Sequence, residues 1–334
     1  MPPPGAIEYA VRMEPVRAAK IQSNTVLRYQ KAAREFCGWC QSEGLEPWTV
    51  AEWDGALIEY RATLNPAKSA FENLVASVEF FFPYLRRKLS LTHAVLAGWN
   101  VAHQTFHHIP LCRGPAALLG VFMAAFGAPR LGAGLILQQR LGLRPSEMLG
   151  LLASDVVLPE EQGSGVTAAV LALGARKGTK LKRPQSVMVF EAENPDIIEL
   201  LRRLRRVTHH DERLFPYSLE AYNLWLKHVS RRSGAAIDWT PHSARAGFAS
   251  EARLGGKSFV EVRELGRWLS DSSLRIYLDL VETASIAVKL RTQGLGAHVD
   301  YALKYWLAYF PLYALLLHGS GRLDQATRWR LAHT

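Results

Sequence analysis

The 334-residue sequence is poor in cysteine and has no apolar stretch at its start. Its three cysteines cannot all pair, so we expect no disulfides and a reducing, intracellular setting. The opening residues, MPPPGAIEYAVRM, contain no apolar core of the length that a signal peptide needs. Both observations disfavour a secreted, disulfide-stabilised protein.

Long apolar runs that could cross a membrane are also scarce. The run at 114–129 is shorter than the roughly 20 residues that a span needs and is followed by Arg130, which favours a buried core helix. The run at 301–318 contains Lys304 and Pro311, which favours a pair of packing or partner-binding helices. We therefore predict no membrane association.

Acidic residues are outnumbered, with 30 Asp and Glu against 40 Lys and Arg and a net charge of +10. Such a surplus favours a polyanionic partner, although it is a weak indication when taken alone. The hydrophobic content of 49% is enough for a substantial core, and the length suggests two domains.

The pattern along the chain predicts a mainly α fold with a small antiparallel β-sheet, an α+β class. After an extension at 1–20, residues 21–110 are predicted to be helical, and a connecting segment with Pro and Gly follows. Residues 111–291 are predicted to form a larger domain. In it, Pro145 suits the first position of a helix in the segment 141–157, and a single helix is predicted over 272–293. Two β-rich runs at 166–190 flank a Gly- and Lys-rich turn and predict a hairpin. Residues 292–334 are predicted to form a helical tail.

The CGWC motif at 37–40 invites a redox or zinc interpretation. A redox pair usually follows a strand, and these cysteines lie inside a predicted helix. A structural zinc ion needs about four ligands, and His107, His108 and Cys112 are distant candidates. Core packing is the favoured use of both cysteines, and we predict no metal site.

Six residues in the second part of the chain could together form a site for phosphoryl transfer. In chain order they are Arg144, Lys177, His242, Arg245, Trp268 and Tyr277. Two guanidinium groups fit the oxygens of one phosphate, because each presents a planar fork of donors. A lysine can supply a proton, a histidine can exchange one and a tyrosine hydroxyl can attack phosphorus. Arginine charge would substitute for a metal ion.

The sequence around these residues resembles the tyrosine recombinase, or phage integrase, family. The resemblance lies in four motifs in the family's order, LGLRPSEMLGL, ARKGTK, HSAR and LGRWLSDSSLRIY, within about residues 20–290. Trp268 stands nine positions before Tyr277, as the family's histidine or tryptophan precedes its tyrosine. The sequence departs from the family in having Trp268 where many members have histidine, and in Arg267, which intrudes before it.

The resemblance implies a role for each matching residue. Arg144 and Arg245 would clamp the scissile phosphate, and His242 would hydrogen-bond it and assist proton transfer. Lys177 would protonate the departing 5′ oxygen. Tyr277 would be the nucleophile that forms a 3′-phosphotyrosyl link, so that no cofactor is needed. Glu147 would orient a neighbouring side chain, and the tryptophan would donate its indole N–H.

The resemblance also implies partners and an activity. Residues 21–110 would be a helical core-binding, SAM-like domain, and residues 111–291 the catalytic domain. The two would enclose double-stranded DNA, and the protein would act as a site-specific recombinase or integrase in a homotetramer on DNA. The tail at 292–334 would dock on a neighbouring protomer. The protein would be DNA-associated, in the nucleus of a eukaryote or in the cytoplasm and nucleoid of a bacterium.

Several alternatives remain at this stage. Lys180 competes with Lys177 as the proton donor, and Tyr277 could be a core aromatic residue. The arginines in LLRRLRRVTHH, at 200–210, could form a solvated helix face or contact phosphates. The whole protein could be a DNA-relaxing enzyme with topoisomerase IB chemistry, or a DNA-binding protein that has kept the fold and lost catalysis.

Overall fold

The computed structural model of the chain describes four ranges, residues 23–102, 108–163, 165–174 and 185–317. The described residues up to 102 belong to one compact unit and those from 108 onward belong to a second. Within these ranges, no helix has the length and apolar character needed to cross a membrane.

The first unit is helical and has an aromatic core. Its elements are α1 (Ser23–Ser42), α2 (Val50–Leu64), α3 (Lys68–Phe81), a 3₁₀ turn (Pro83–Leu85) and α4 (Ser90–Ala102). Phe36, Trp53 and Phe71 are fully buried where these helices meet. Cys40, on the interior of α1, is buried in the same core, as the sequence predicted for the CGWC motif.

One buried carboxylate fixes the start of α4. Asp54, on α2, is 3% exposed and accepts the backbone N–H groups of Leu91 and Thr92 at 2.8 Å each. Those N–H groups lie in the first turn of α4, where a helix has no acceptor of its own. Burial would raise the pKa of Asp54, but the hydrogen bonds from Thr92 and Leu91 outweigh it and hold the pKa below its ordinary value.

The second unit is a set of helices with one small sheet. Its helices are α5 (Arg113–Ala125), α6 (Pro129–Leu141), α7 (Pro145–Leu149), α8 (Pro195–Arg206), α9 (Leu219–Arg232), α10 (Ser243–Leu254), α11 (Phe259–Leu265), α12 (Asp271–Arg275), α13 (Leu280–Thr292), α14 (Gly296–Tyr305) and α15 (Leu312–Leu317). Short 3₁₀ turns lie at Ala153–Asp155, Pro159–Glu161 and Trp306–Tyr309. The strands are β1 (Val156–Val157), β2 (Ala168–Ala172) and β3 (Ser186–Phe190).

The sheet has the order β1-β2-β3 and is antiparallel throughout. Val170 of β2 pairs with Met188 of β3, so the two predicted β-rich runs are paired as a hairpin. The mainly α fold with a small antiparallel sheet is thereby confirmed. Strand β1 was not predicted, because its two residues lie in a segment whose sequence suggested a continued helix.

Helices α5 and α6 form the centre of the second unit and pack against each other at very short range. A Cβ atom at Gly132 would overlap the carbonyl oxygen of Gly120, so this contact requires glycine. The run at 114–129 therefore lies in the core as predicted, with Ala116, Ala117, Leu118 and Leu119 buried.

The described part of the tail belongs to the same core. Trp306, Phe310 and Leu315 are buried in it. Arg130 is itself buried and donates from Nε to the carbonyl oxygen of Leu315 at 2.7 Å. Up to residue 317 the tail is thus a pair of packing helices, which was one of the two uses predicted for this run.

Candidate active site

Arg144 stands at the start of α7, where local sequence fixes its backbone. Gly142, in the left-handed conformation at φ 58°, ends α6, and Pro145 occupies the first position of α7. Glu147, in the first turn, accepts the backbone N–H of Arg144 at 2.8 Å. The arginine side chain is 33% exposed, so its guanidinium is accessible to a ligand.

Arg245 lies on the first turn of α10 and is 1% exposed. Its guanidinium donates to the carbonyl oxygens of Gly142 and Gly266, and it lies 4.0 Å from the ring centroid of Trp268. Burial, together with Arg144, lowers the pKa of Arg245 but leaves it charged near neutral pH. Arg245 is therefore a buried charge and not a solvated one.

Tyr277 lies between two helices rather than inside one. The sequence suggested a single helix over 272–293, but the structure has α12 and α13 with a break at 276–279. The break follows from Asp279, whose side chain accepts the N–H of Glu282 and so begins a new helix. Ser250 Oγ contacts the carbonyl oxygen of Tyr277 and the N–H of Asp279, which fixes this loop to α10.

The tyrosine hydroxyl is within hydrogen-bond distance of the site histidine. Tyr277 Oη lies 3.2 Å from Nδ1 of His242, the residue that immediately precedes α10. The ring of Tyr277 lies 5.5 Å from that of Trp268 and 5.9 Å from the Arg245 guanidinium. The hydroxyl thus lies beside the imidazole of His242, and the ring that carries it lies near a fixed positive charge.

His242 is held in its neutral form. Burial lowers its pKa to about 4, with further lowering by the nearby charges of His108, Arg245 and Arg144. A neutral ring whose Nδ1 carries no proton accepts a hydrogen bond from Tyr277. His242 is therefore available as a hydrogen-bond acceptor for the hydroxyl, and its lowered pKa makes it a weaker base than a free histidine.

Glu147 connects two arginines beneath the site. Its Oε1 lies 2.5 Å from Nη1 of Arg144, and its Oε2 lies 3.1 Å from Nη2 of Arg267. Burial alone would raise the pKa of Glu147, but Arg267 and Arg144 outweigh it and hold the pKa below its ordinary value. With Arg245, three guanidinium groups surround one carboxylate, which leaves a positive surplus for an anion.

The structure brings together five of the six predicted site residues, Arg144, His242, Arg245, Trp268 and Tyr277. The sixth, Lys177, lies outside the described residues, as does its competitor Lys180. Within the described ranges, no group of three or more His, Cys, Asp or Glu side chains is placed to hold a metal ion.

The arginines of α8 are used mainly within the protein. Arg202 pairs with Glu160 and Glu191, and Arg205 pairs with Glu161. Arg203 pairs with Glu199 and also donates to carbonyl oxygens of the tail. Three of the four arginines of this basic helix are thus paired with neighbouring carboxylates, and Arg206 is exposed. Phosphate contact by this helix stays a prediction.

Sequence reasoning missed His108 as a member of the site. Its ring stacks on that of His242 at 5.1 Å between centroids, and its Nδ1 lies 3.2 Å from Oγ1 of Thr240. In the sequence it was considered only as a remote zinc candidate. Its proximity to His242 depends on the path of the chain before α5, for which no local pattern exists.

Residues 108–112, which we call the leading segment, are fastened to the start of α10. The N–H of Leu111 donates to the carbonyl oxygen of Ser243 at 2.9 Å, and Nε1 of Trp239 donates to the carbonyl oxygen of Pro110 at 3.2 Å. A Cβ atom at Gly247 would overlap the carbonyl oxygen of Leu111. This close approach places His108 against the site.

Comparison with known proteins gives agreement in fold at low sequence identity. No family model matches the sequence, and no curated protein matches it. The solved structure of the Tn1549 transposon integrase, in complex with transposon right end DNA, is 12% identical, with a TM-score of 0.52 over 86% of this chain and 98% of that one. XerH site-specific recombinase bound to difH substrate is 14% identical, with a TM-score of 0.50 over 84% and 94%. The chain thus has the fold of the tyrosine recombinases and integrases that its motifs resemble.

Proposed function

We propose that the protein is a site-specific DNA recombinase that cleaves and rejoins DNA through a 3′-phosphotyrosyl intermediate. The observation that carries this proposal is the position of Tyr277, whose Oη lies 3.2 Å from a neutral His242 and whose ring lies 5.9 Å from the buried guanidinium of Arg245. A phenol needs a base and a stabilised phosphorane-like transition state to attack phosphorus. Both are present around this hydroxyl.

In the proposed reaction, Tyr277 Oη attacks the scissile phosphorus and its proton passes to Nδ1 of His242. The bond from phosphorus to the 5′ oxygen breaks, and that oxygen takes a proton from Lys177, the residue that the family resemblance assigns to this step. Arg144 and Arg245 stabilise the negative charge on the non-bridging oxygens. Attack by a 5′ hydroxyl on the phosphotyrosyl bond reverses these steps and rejoins the strand.

Trp268 supports a phosphate in this position. Its indole Nε1 is buried and has no acceptor among the described residues, although the ring stacks under Arg245. A buried N–H without an acceptor costs free energy that a bound anion would recover. The tryptophan that replaces the more common histidine therefore still offers a donor.

Duplex DNA is the proposed substrate. The net charge of +10 favours a polyanion, and both structures cited above were solved with DNA. Recombination joins two sites, so we also propose a multimer on DNA, a tetramer by the family resemblance. The first unit and the catalytic unit would then be the two parts that contact the duplex.

A DNA-binding protein that has lost catalysis is the second candidate. The intact arrangement of hydroxyl, histidine and arginines supports the enzyme, because a domesticated binder has no use for a neutral histidine beside a tyrosine hydroxyl.

The test is covalent attachment of the protein to nicked, labelled duplexes that carry sequences flanking its gene. The wild type should form an adduct at the 3′ phosphate, and Tyr277→Phe should form none, because it removes the nucleophilic oxygen while the ring keeps its volume. Tyr301→Phe, an exposed residue on α14, is the matched control and should react like the wild type. An adduct with Tyr277→Phe would show that the nucleophile is another residue. Absence of any wild-type adduct, with DNA binding intact, would support the binder.

A further inference from the structure

Arg267 has a backbone conformation that ordinarily belongs to glycine. Its φ is 58°, in the left-handed region where a side chain on Cβ is disfavoured. A long side chain is retained at such a position when its contacts offset the conformational cost. The contacts of Arg267 are therefore informative about its use.

The Arg267 side chain is 10% exposed and turned into the protein. Its Nη2 donates to Oε2 of Glu147 at 3.1 Å and to the carbonyl oxygen of Gly142 at 3.2 Å, and its Nη1 donates to the carbonyl oxygen of Leu265 at 3.2 Å. Its two terminal nitrogens therefore donate to the protein, whereas the buried Nε has no acceptor among the described residues. Arg267 acts through its neighbours.

These neighbours are the partners of the two arginines of the site. Glu147 is shared with Arg144, and the carbonyl oxygen of Gly142 is shared with Arg245. The backbone carbonyl of Arg267 also accepts from Nη2 of Arg144 at 3.2 Å. We propose that Arg267 is a positioning residue that holds Arg144 and Arg245 in the arrangement that binds the phosphate.

Charge adds a second part to this role. With Arg267 present, the single charge of Glu147 is divided between two guanidinium groups, so Arg144 keeps part of its attraction for an anion. Without Arg267, Glu147 and Arg144 would form a one-to-one pair, in which the carboxylate neutralises the arginine. Both the geometry and the strength of the phosphate site would then decline.

Arg267→Gly separates this role from folding. Glycine accepts a φ of 58° without strain, so the variant should remain folded, as circular dichroism and thermal unfolding would verify. Arg267→Lys keeps the charge but not the planar fork, and should fall between glycine and the wild type. The matched control is Arg263→Ala, which removes one positive charge from α11, where Arg263 pairs with the exposed Asp271 at 2.8 Å.

The first measurement is the single-turnover rate of adduct formation at saturating DNA, and it rests on the proposed function. We expect Arg267→Gly to lower this rate on the order of 10²-fold, as for a small displacement of reacting groups, with DNA affinity unchanged. Arg263→Ala should react like the wild type. A rate for Arg267→Gly equal to that of the wild type would overturn the inference.

The second measurement does not depend on catalysis. Inorganic phosphate is titrated into the free protein and its affinity is read from the thermal shift. Arg267→Gly should bind phosphate on the order of tenfold more weakly than the wild type and Arg263→Ala. If the wild type forms no adduct, the proposed function fails and this measurement alone decides the inference. The inference about Arg267 is wrong if Arg267→Gly and the wild type bind phosphate with equal affinity. It is also wrong if neither of them binds phosphate.

Discussion

Each of the two units contains a buried carboxylate, and the two carboxylates differ in the donors that surround them. Asp54 and Glu147 are each 3% exposed, and each has a pKa below its ordinary value although burial would raise it. Asp54 achieves this with backbone N–H groups of one helix, and Glu147 with two arginines. The donors around Asp54 are neutral N–H groups, so they satisfy the carboxylate without adding positive charge.

The surroundings of Glu147 carry more positive charge than this carboxylate can neutralise. Around Glu147 the guanidinium groups of Arg144 and Arg267 bring two positive charges against one negative, and Arg245 adds a third. Excess buried charge of one sign is unfavourable unless a partner neutralises it. The difference teaches that a buried carboxylate among backbone donors indicates structure alone, whereas one among surplus cations indicates a site for an anion.

The largest effect should come from Glu147→Gln, which tests whether this carboxylate serves the proposed reaction as well as the fold. Removal of the charge leaves Arg144 and Arg267 to repel each other. We expect a rate of adduct formation lower on the order of 10²-fold and a loss of about 3 kcal/mol in the free energy of unfolding. Denaturing gels and urea unfolding measure the two. A variant with the wild-type rate would show that Glu147 is a structural carboxylate like Asp54.

Asp54→Ala should have the next largest effect, and on stability alone. It leaves the N–H groups of Leu91 and Thr92 without their acceptor, and should lower the free energy of unfolding by about 2 kcal/mol. Asp54→Asn, which keeps one acceptor oxygen, should lose less. Under conditions where the variants are folded, the rate of adduct formation should match the wild type. A lower rate would contradict the division drawn between the two carboxylates.

The smallest effect concerns His242 and acid. Its folded pKa of about 4 lies below the 6.5 of a free histidine, so between these values the unfolded chain binds the extra proton. The stability of the wild type should therefore fall as pH decreases from about 6.5 toward 4. His242→Asn should remove about 1 kcal/mol of this decline, since the half-buried ring is partly screened by solvent.

The measurement is the free energy of unfolding from urea titrations at several pH values. His210→Asn replaces an exposed histidine of the same unit and serves as the control. It should leave the decline as in the wild type. If His242→Asn shows the same decline in the free energy of unfolding as His210→Asn, the pKa of His242 is not lowered in the folded protein.

The sequence predicted the elements whose cause is local. Pro145 at the first position of α7, and the strands on either side of the Gly- and Lys-rich turn, follow from rules of a few residues. The convergence of His242, Arg245 and Tyr277 was predicted by the order of the motifs rather than by any physical rule.

What the sequence could not predict depends on contacts between distant residues. The stacking of His108 on His242 spans more than a hundred positions, and the left-handed backbone of Arg267 contradicts the preference of its own side chain. The break before α13 was missed because the apolar pattern continues across it and only the cap at Asp279 interrupts the helix. The packing of Trp306 into the core was an open alternative, because an apolar tail fits a partner as well as its own domain.

The fastening of the leading segment has a mechanical consequence. The N–H of Leu111 donates to the carbonyl oxygen of Ser243, the first residue of α10, and Gly247 allows the two segments to lie in close contact. His242 is the residue just before that helix and His108 belongs to the segment itself. Tension applied to the chain ahead of residue 108 would therefore reach the imidazole pair before it reached the apolar core. The proposed active site therefore lies close to the point where the second unit begins in the chain.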